Sequence, residues 1–215
     1  MPVTIQRDKT ATRAALIGAV GIIIGRDGFG ALGINAVARE AGVDKVLIYR
    51  YFENIEGLLA AYGEQGDFWW SVEDVLTDAD KSPTGDFAGW LTQVFRHHIE
   101  FLRHHPVTLE ILAWEMSDRN PLTIALEEVR EARGLELMKH LADRFDFDQA
   151  VALRHIGPMM ALFGAASNYL VTRARGIRTF NGIDVQSDLG WAQIYETVEA
   201  MLRAFIQSIE KESRA

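Results

Sequence analysis

An all-α fold of about nine helices follows from three features of the 215-residue chain. Apolar residues recur at three- and four-residue spacing through most of its length. Glycine, proline and Asn/Asp clusters punctuate those runs, and no stretch alternates with period two long enough to build a sheet. The expected organisation is an N-terminal three-helix head, residues 1–54, followed by a helical body, residues 55–215.

Each element has its own justification. A polar arm from Met1 to about Asp8 precedes a helix over roughly Lys9 to Arg26, whose Leu16, Val20, Ile23 and Ile24 face inward, and Asp27-Gly28-Phe29-Gly30 breaks it. Ile34, Val37, Ala38 and Ala41 then fall at i, i+3, i+4 and i+7, one stripe of an amphipathic helix, with Gly42 placed where a helix ends in a left-handed residue. Asp44 stands where a side-chain acceptor caps free amides and opens a helix from Lys45 to Phe52. A long helix from about Ile55 to Asp78 links head to body and stops at Asp80-Lys81-Ser82-Pro83-Thr84-Gly85. Further helices are expected near 84–104, 107–116, 122–144, 148–175 and 188–210. They are separated by Pro106, by Asn120-Pro121, by Phe145-Asp146-Phe147-Asp148 and by the segment from Gly176 to Gly190.

The pair of helices around Gly42 reads as a helix-turn-helix. The second is short, and its Val46, Tyr49 and Arg50 cannot all enter a core, so it suits the B-DNA major groove, about 12 Å wide. The candidate DNA-contacting residues are Lys45, Val46, Leu47, Tyr49, Arg50 and Tyr51. Lys45, Val46, Leu47 and Arg50 are expected on the exposed face, with Tyr49 and Tyr51 against the DNA backbone or supporting it.

At these positions the chain resembles the tetracycline-repressor (TetR) family of bacterial transcriptional regulators. The resemblance rests on Val37-Ala38, Ala41-Gly42-Val43-Asp44, Lys45-Val46-Leu47, Ile48-Tyr49-Arg50-Tyr51-Phe52 and Leu58-Leu59, and covers about 30 residues. Three departures stand out. Leu32-Gly33 lacks the usual capping Thr or Ser, Asp44 replaces a Ser, and Ile55 occupies the place of a phosphate-binding Lys, leaving the Ile55 backbone amide as the contact candidate. The resemblance implies a homodimer, a double-stranded DNA operator, a small-molecule effector bound in the body, and repression as the default outcome.

Composition is compatible with that reading. The chain has no Cys, which excludes a disulfide framework, cysteine zinc sites and thiol chemistry. Its N-terminus has no signal-peptide pattern, and the uncharged run from Ala14 to Gly25, twelve residues, is too short to span a bilayer, so a cytoplasmic protein without membrane association is expected. The net charge of −8 is unevenly spread: residues 1–62 hold seven Lys/Arg against six Asp/Glu, or +1, and residues 63–215 hold 15 against 24, or −9. A near-neutral head can bind DNA through locally placed cations, with strong salt dependence.

In the body, Ile156, Met159, Met160, Phe163, Ala166 and Leu170 form one apolar stripe, and Trp191, Ile194, Val198, Met201, Leu202, Phe205 and Ile209 another. Small residues Gly157, Gly164, Ala165 and Ala166 permit close helix approach, so a two-fold four-helix interface is expected, with Met160, Phe163, Met201 and Phe205 as its candidates; internal core is the alternative. Aromatic and polar residues in mid-chain are either ordinary packing or an effector pocket, for which Trp69, Phe95, His98, Trp114, Phe163, Asn168 and Tyr169 are the candidates.

His97-His98 and His104-His105 repeat at seven residues, about 10 Å along a helix, too far for one pair to chelate, and no metal or cofactor is expected. Phosphate-loop, Gly-x-Ser-x-Gly and His-Glu-x-x-His signatures are absent from the sequence, and no catalytic residue is assigned. The reading is a ligand-responsive DNA-binding regulator. Its alternative is an all-α enzyme or metal-dependent small-molecule binder with a vestigial DNA-binding head.

Overall fold

The computed structural model describes residues 3–65, 68–82, 85–146 and 152–212. Met1 and Pro2 of the expected arm, Pro83-Thr84, and Phe147-Asp148 with the first residues of the following helix lie outside these. Ten α-helices occupy the described residues. They are α1 (Val3–Asp27), α2 (Ile34–Glu40), α3 (Val46–Phe52), α4 (Ile55–Gly63), α5 (Val72–Ala79), α6 (Phe87–His104), α7 (Pro106–Glu115), α8 (Pro121–Phe145), α9 (Gly157–Ala174) and α10 (Asp188–Glu212). A 3-10 turn at Phe29–Ala31 follows α1, and a π-helical turn at Ala152–Ile156 leads into α9.

Three differences from expectation have local causes. The first helix begins at Val3, so the arm expected up to Asp8 is helical from its third residue. The single helix expected over 55–78 is two: α4 ends at Gly63, and α5 starts afresh where the Ser71 hydroxyl accepts the Asp74 amide at 3.1 Å. Glu73 and Asp74 in the first turn favour that second start by facing the positive end of the helix dipole. Between α9 and α10, Thr179–Phe180 pairs antiparallel with Ile183–Asp184, a two-residue hairpin turned at Asn181 and Gly182, both at positive φ.

The chain divides into two compact units, one made of Met1–Trp69 and His105–Ala132, the other of Trp70–His104 and Arg133–Ala215. The boundary expected at 54/55 falls inside the first. Leu16, Val20, Ile23 and Ile24 of α1 are buried there as expected, together with Val37, Ile48 and Leu58. Glycines let the helices approach: a Cβ on Gly21 would lie 2.8 Å from the Tyr62 hydroxyl, and one on Gly63 would lie 2.5 Å from the Ala125 Cβ. Helix α7 belongs to this unit, with Trp114 against Phe29 at 5.0 Å between ring centroids and the Thr108 hydroxyl donating to the Phe68 carbonyl at 2.5 Å.

The second unit is built on α6, whose Leu91, Phe95, Ile99 and Leu102 are buried. Trp90 donates its indole N–H to Asp80 at 3.1 Å, and Trp191 donates to the Val185 carbonyl at 2.9 Å. Tyr195 on α10 donates its hydroxyl to Glu100 at 2.6 Å, while burial and that carboxylate raise its pKa.

Candidate nucleic-acid interface

The end of α2 fixes the direction of α3. Gly42 takes φ +67°, its amide donates to the Arg39 carbonyl at 3.2 Å, and the Val43 amide donates to Ala38 at 3.0 Å. This is the double closure of a helix by a left-handed residue, a conformation that strains any side chain with a Cβ. Asp44 then accepts the Val46 amide on its Oδ1 at 2.8 Å and opens α3. Ile48 and Phe52 anchor the inner face of α3, at 0% and 6% exposure.

What remains outside is the candidate reading face. Lys45, Val46, Tyr49 and Arg50 are exposed, Val46 and Tyr49 each by more than half. Leu47 is half-buried rather than fully presented, whereas Tyr49, expected in a backbone or supporting role, stands on the outer face one turn from Val46. Tyr51 is half-buried, with the Lys9 ammonium 5.9 Å from its ring centroid. Ile55 is also half-buried and begins α4, which Asn54 caps by accepting the Gly57 amide at 2.7 Å. A Cβ at Gly57 would collide with the Phe52 carbonyl, so the α3–α4 turn depends on glycine there.

Residues 23–62, which contain α2, the turn and α3, match the family described as bacterial regulatory proteins, tetR family. The match covers the helix-turn-helix segment, so it is this segment of the chain that is similar to the family. The chain is 30% identical over 109 residues to an HTH-type transcriptional repressor of Streptomyces coelicolor, a match spanning 51% of this chain and 52% of that relative, about half of its length. Its fold is similar to that of the fatty acid degradation regulator FadR from Bacillus halodurans, with a TM-score of 0.56 and 18% identity over 89% of this chain and 94% of that one. It is similar as well to that of NalD, the secondary repressor of the MexAB-OprM multidrug efflux pump in Pseudomonas aeruginosa, with a TM-score of 0.53 and 18% identity over 91% and 96% of the two chains.

The residues expected to line an effector pocket are distributed over the two units. Trp69 and Trp114 belong to the first unit, Trp69 buried and Trp114 packed on Phe29. Phe95, His98, Phe163 and Asn168 come together in the second unit. Phe95 and Phe163 meet edge-on at 5.1 Å, and His98 is held between Trp70 and Asn168, at 2.9 Å from each. An indole N–H can only donate, so Nδ1 of His98 accepts from Trp70, and Nε2 carries the hydrogen that goes to Asn168 Oδ1. Tyr169 turns away from them, 53% exposed with its ring 6.0 Å from Phe180. A surface depression of about 330 Å³ lies elsewhere, between α5 and the C-terminal half of α8, and is lined by Val72, Leu76, Thr77, Glu136 and His140 among others.

Among the interface candidates, Met201 is 54% exposed, Met160 and Phe205 are half-buried, and Phe163 is committed to Phe95. The sequence reading missed Leu162, 73% exposed, which with Ala161, Ala165, Ala166 and Tyr169 forms an outer apolar stripe on α9. Leu189, Ala200 and Ala204 accompany Met201 on the outside of α10. Spacing carried this signal, because α9 is apolar on two faces and only one was assigned outward. The histidines go to separate partners: His97 Nδ1 lies 2.6 Å from Asp78, and His104 Nδ1 lies 2.7 Å from the Glu100 carbonyl. Among the described residues no three metal-capable side chains converge.

Proposed function

We propose that this protein is a tetR-family regulator, a cytoplasmic, dimeric DNA-binding transcriptional regulator that represses from a palindromic operator and is released by a small molecule. The observation that carries the proposal is α3: its inner face is fixed by Ile48 and Phe52, which leaves Lys45, Val46, Tyr49 and Arg50 facing outward together. That combination of cation, methyl-bearing and aromatic groups suits base edges and phosphates of a major groove. The relatives described above are transcriptional regulators, so the enzyme alternative has no counterpart among them. No described helix is long and apolar enough to cross a membrane.

For the second copy, the outer stripe of α9 with Leu189 and Met201 of α10 offers a self-complementary apolar surface. For the effector, Phe95, Phe163, His98 and Asn168 offer an apolar wall with a polar relay. The effector's influence is not assigned to a continuous helix reaching Trp69, since α4 stops at Gly63. Helix α6 carries Phe95 and His98 and leads through His104 and His105 into α7, which packs in the first unit beside α1. A displacement of α6 therefore reaches the head unit along the chain itself.

Capture of fragmented genomic DNA by the purified protein, followed by gel shift, tests the proposal. The expected result is a palindromic site with half-sites about 34–36 Å apart or a multiple of that. Recovery of no enriched sequence, with equal affinity for every fragment, would overturn it.

A further inference from the structure

We propose that Lys9 and Arg13 of α1 form a second, sequence-indifferent phosphate-binding strip beside the recognition helix, carrying the DNA surface from α3 onto α1. The inference rests on the operator-binding reading above and adds two contacts to it. Lys9 and Arg13 stand at i and i+4 on the exposed face of α1. Both cationic groups lie over rings of α3: the Lys9 ammonium is 5.9 Å from the Tyr51 centroid, and the Arg13 guanidinium carbon is 4.7 Å from that of Phe52.

A ring face attracts a cation without neutralising its charge, so these contacts hold the two groups beside α3 and leave them available to an anion. Neither makes an ion pair among the described residues. Arg96 of the second unit likewise rests over a ring, that of Tyr195 at 4.3 Å, whereas several other cations are held by carboxylates. Arg26 is tied to Asp27 and Glu40, each at 2.8 Å, and in the second unit Lys81, Arg103, Arg144, Arg178 and Arg203 are all paired with carboxylates.

Position gives the strip its purpose. Phe52 ends α3, and Ile55 opens α4 where the family resemblance leads one to expect a phosphate-binding Lys. Arg13, stacked on Phe52, brings a permanent charge and a planar donor fork to the same turn from a different helix. Lys9, one helical turn earlier, adds a second charge beside Tyr51. Neither residue is placed to read bases, and both act on the sugar-phosphate chain.

The test is fluorescence anisotropy of the full-length protein over a salt series, with a random-sequence duplex and with the duplex captured by the wild type. Lys9→Gln and Arg13→Gln should each weaken binding to both duplexes by the same factor. Each should also reduce the slope of log affinity against log salt by about 0.9, the value for one phosphate contact. Arg13→Lys should retain the slope. Thermal unfolding checks that the head is intact, and Lys9→Gln, which removes only an exposed group, keeps the test open if Arg13→Gln unfolds. Unchanged slopes in folded variants would overturn the strip alone, as would a loss confined to the captured duplex. A wild type that binds neither duplex would overturn the operator-binding reading as well.

Discussion

Lys45 stands immediately before α3 with its side chain exposed, and Val46 and Tyr49 follow on the same outer surface. Lys45→Ala should cost ~1–3 kcal/mol of specific binding and relax one base position, whereas Tyr49→Phe should weaken all sequences alike; binding-site selection on both variants distinguishes these outcomes. The outer face was legible from Ile48 and Phe52, which at i and i+4 must share the inner side, but the half-burial of Leu47 depends on neighbouring helices that the sequence does not order. The bonds made by His98 were not legible at all, because they join residues 28 and 70 positions apart. His98→Leu leaves the Trp70 N–H and the Asn168 oxygen without this partner, so chemical denaturation should show a loss of ~1–3 kcal/mol per buried group left unsatisfied. Asp78 is held below the usual carboxylate range by hydrogen bonds from Lys81 and then His97. Its contribution to stability is therefore present above the unfolded carboxylate value and fades as pH falls through it towards the lower folded value. Asp78→Asn should flatten the unfolding midpoint against pH in that acidic window.

Element boundaries followed the punctuation where glycine or proline acted alone, as at Gly42 and Pro106, and failed where a cap competed with a continuous apolar pattern. Ser71 and Asp74 form a helix start of the S-x-x-D kind, yet they sit inside a run whose periodicity continues, and the sequence reading joined α4 to α5. The hairpin at Asn181-Gly182 carried the strongest short turn signal known, but strands of two residues show no alternation to go with it. Close approach between elements is likewise invisible until the chain is folded. Gly63 allows α4 to lie against Ala125 of α8, and Gly63→Ala should destabilise the protein by ~1–3 kcal/mol through overpacking. Adding Ala125→Gly should restore part of that loss in thermal unfolding; no recovery in the double variant would place the strain elsewhere.

For the molecule as a whole, fold class and the motif were readable because both rest on local pattern, while the choice of which apolar face of α9 turns outward was not. If the proposed dimer forms through this face, Leu162→Glu should convert it to a monomer and abolish specific DNA binding, since burying an unpaired charge costs several kcal/mol. Phe163→Ala should instead lower thermal stability, because its ring packs on Phe95. Light scattering and unfolding on the two variants separate these effects, and a dimeric Leu162→Glu protein would remove the assigned face. The division of the chain also bears on its capacity for modular exchange. The head shares a compact unit with residues 105–132, where Trp114 covers Phe29 and Thr108 holds the Phe68 carbonyl. A crossover after residue 54 or 69 would graft a new head onto a foreign α7, replacing the surface that the old head was packed against. Under the proposed operator-binding role, swapping DNA specificity between this chain and a relative therefore calls for two transplanted segments, and natural recombination with a single breakpoint would tend to yield chimeras with mismatched packing beneath an otherwise intact reading helix.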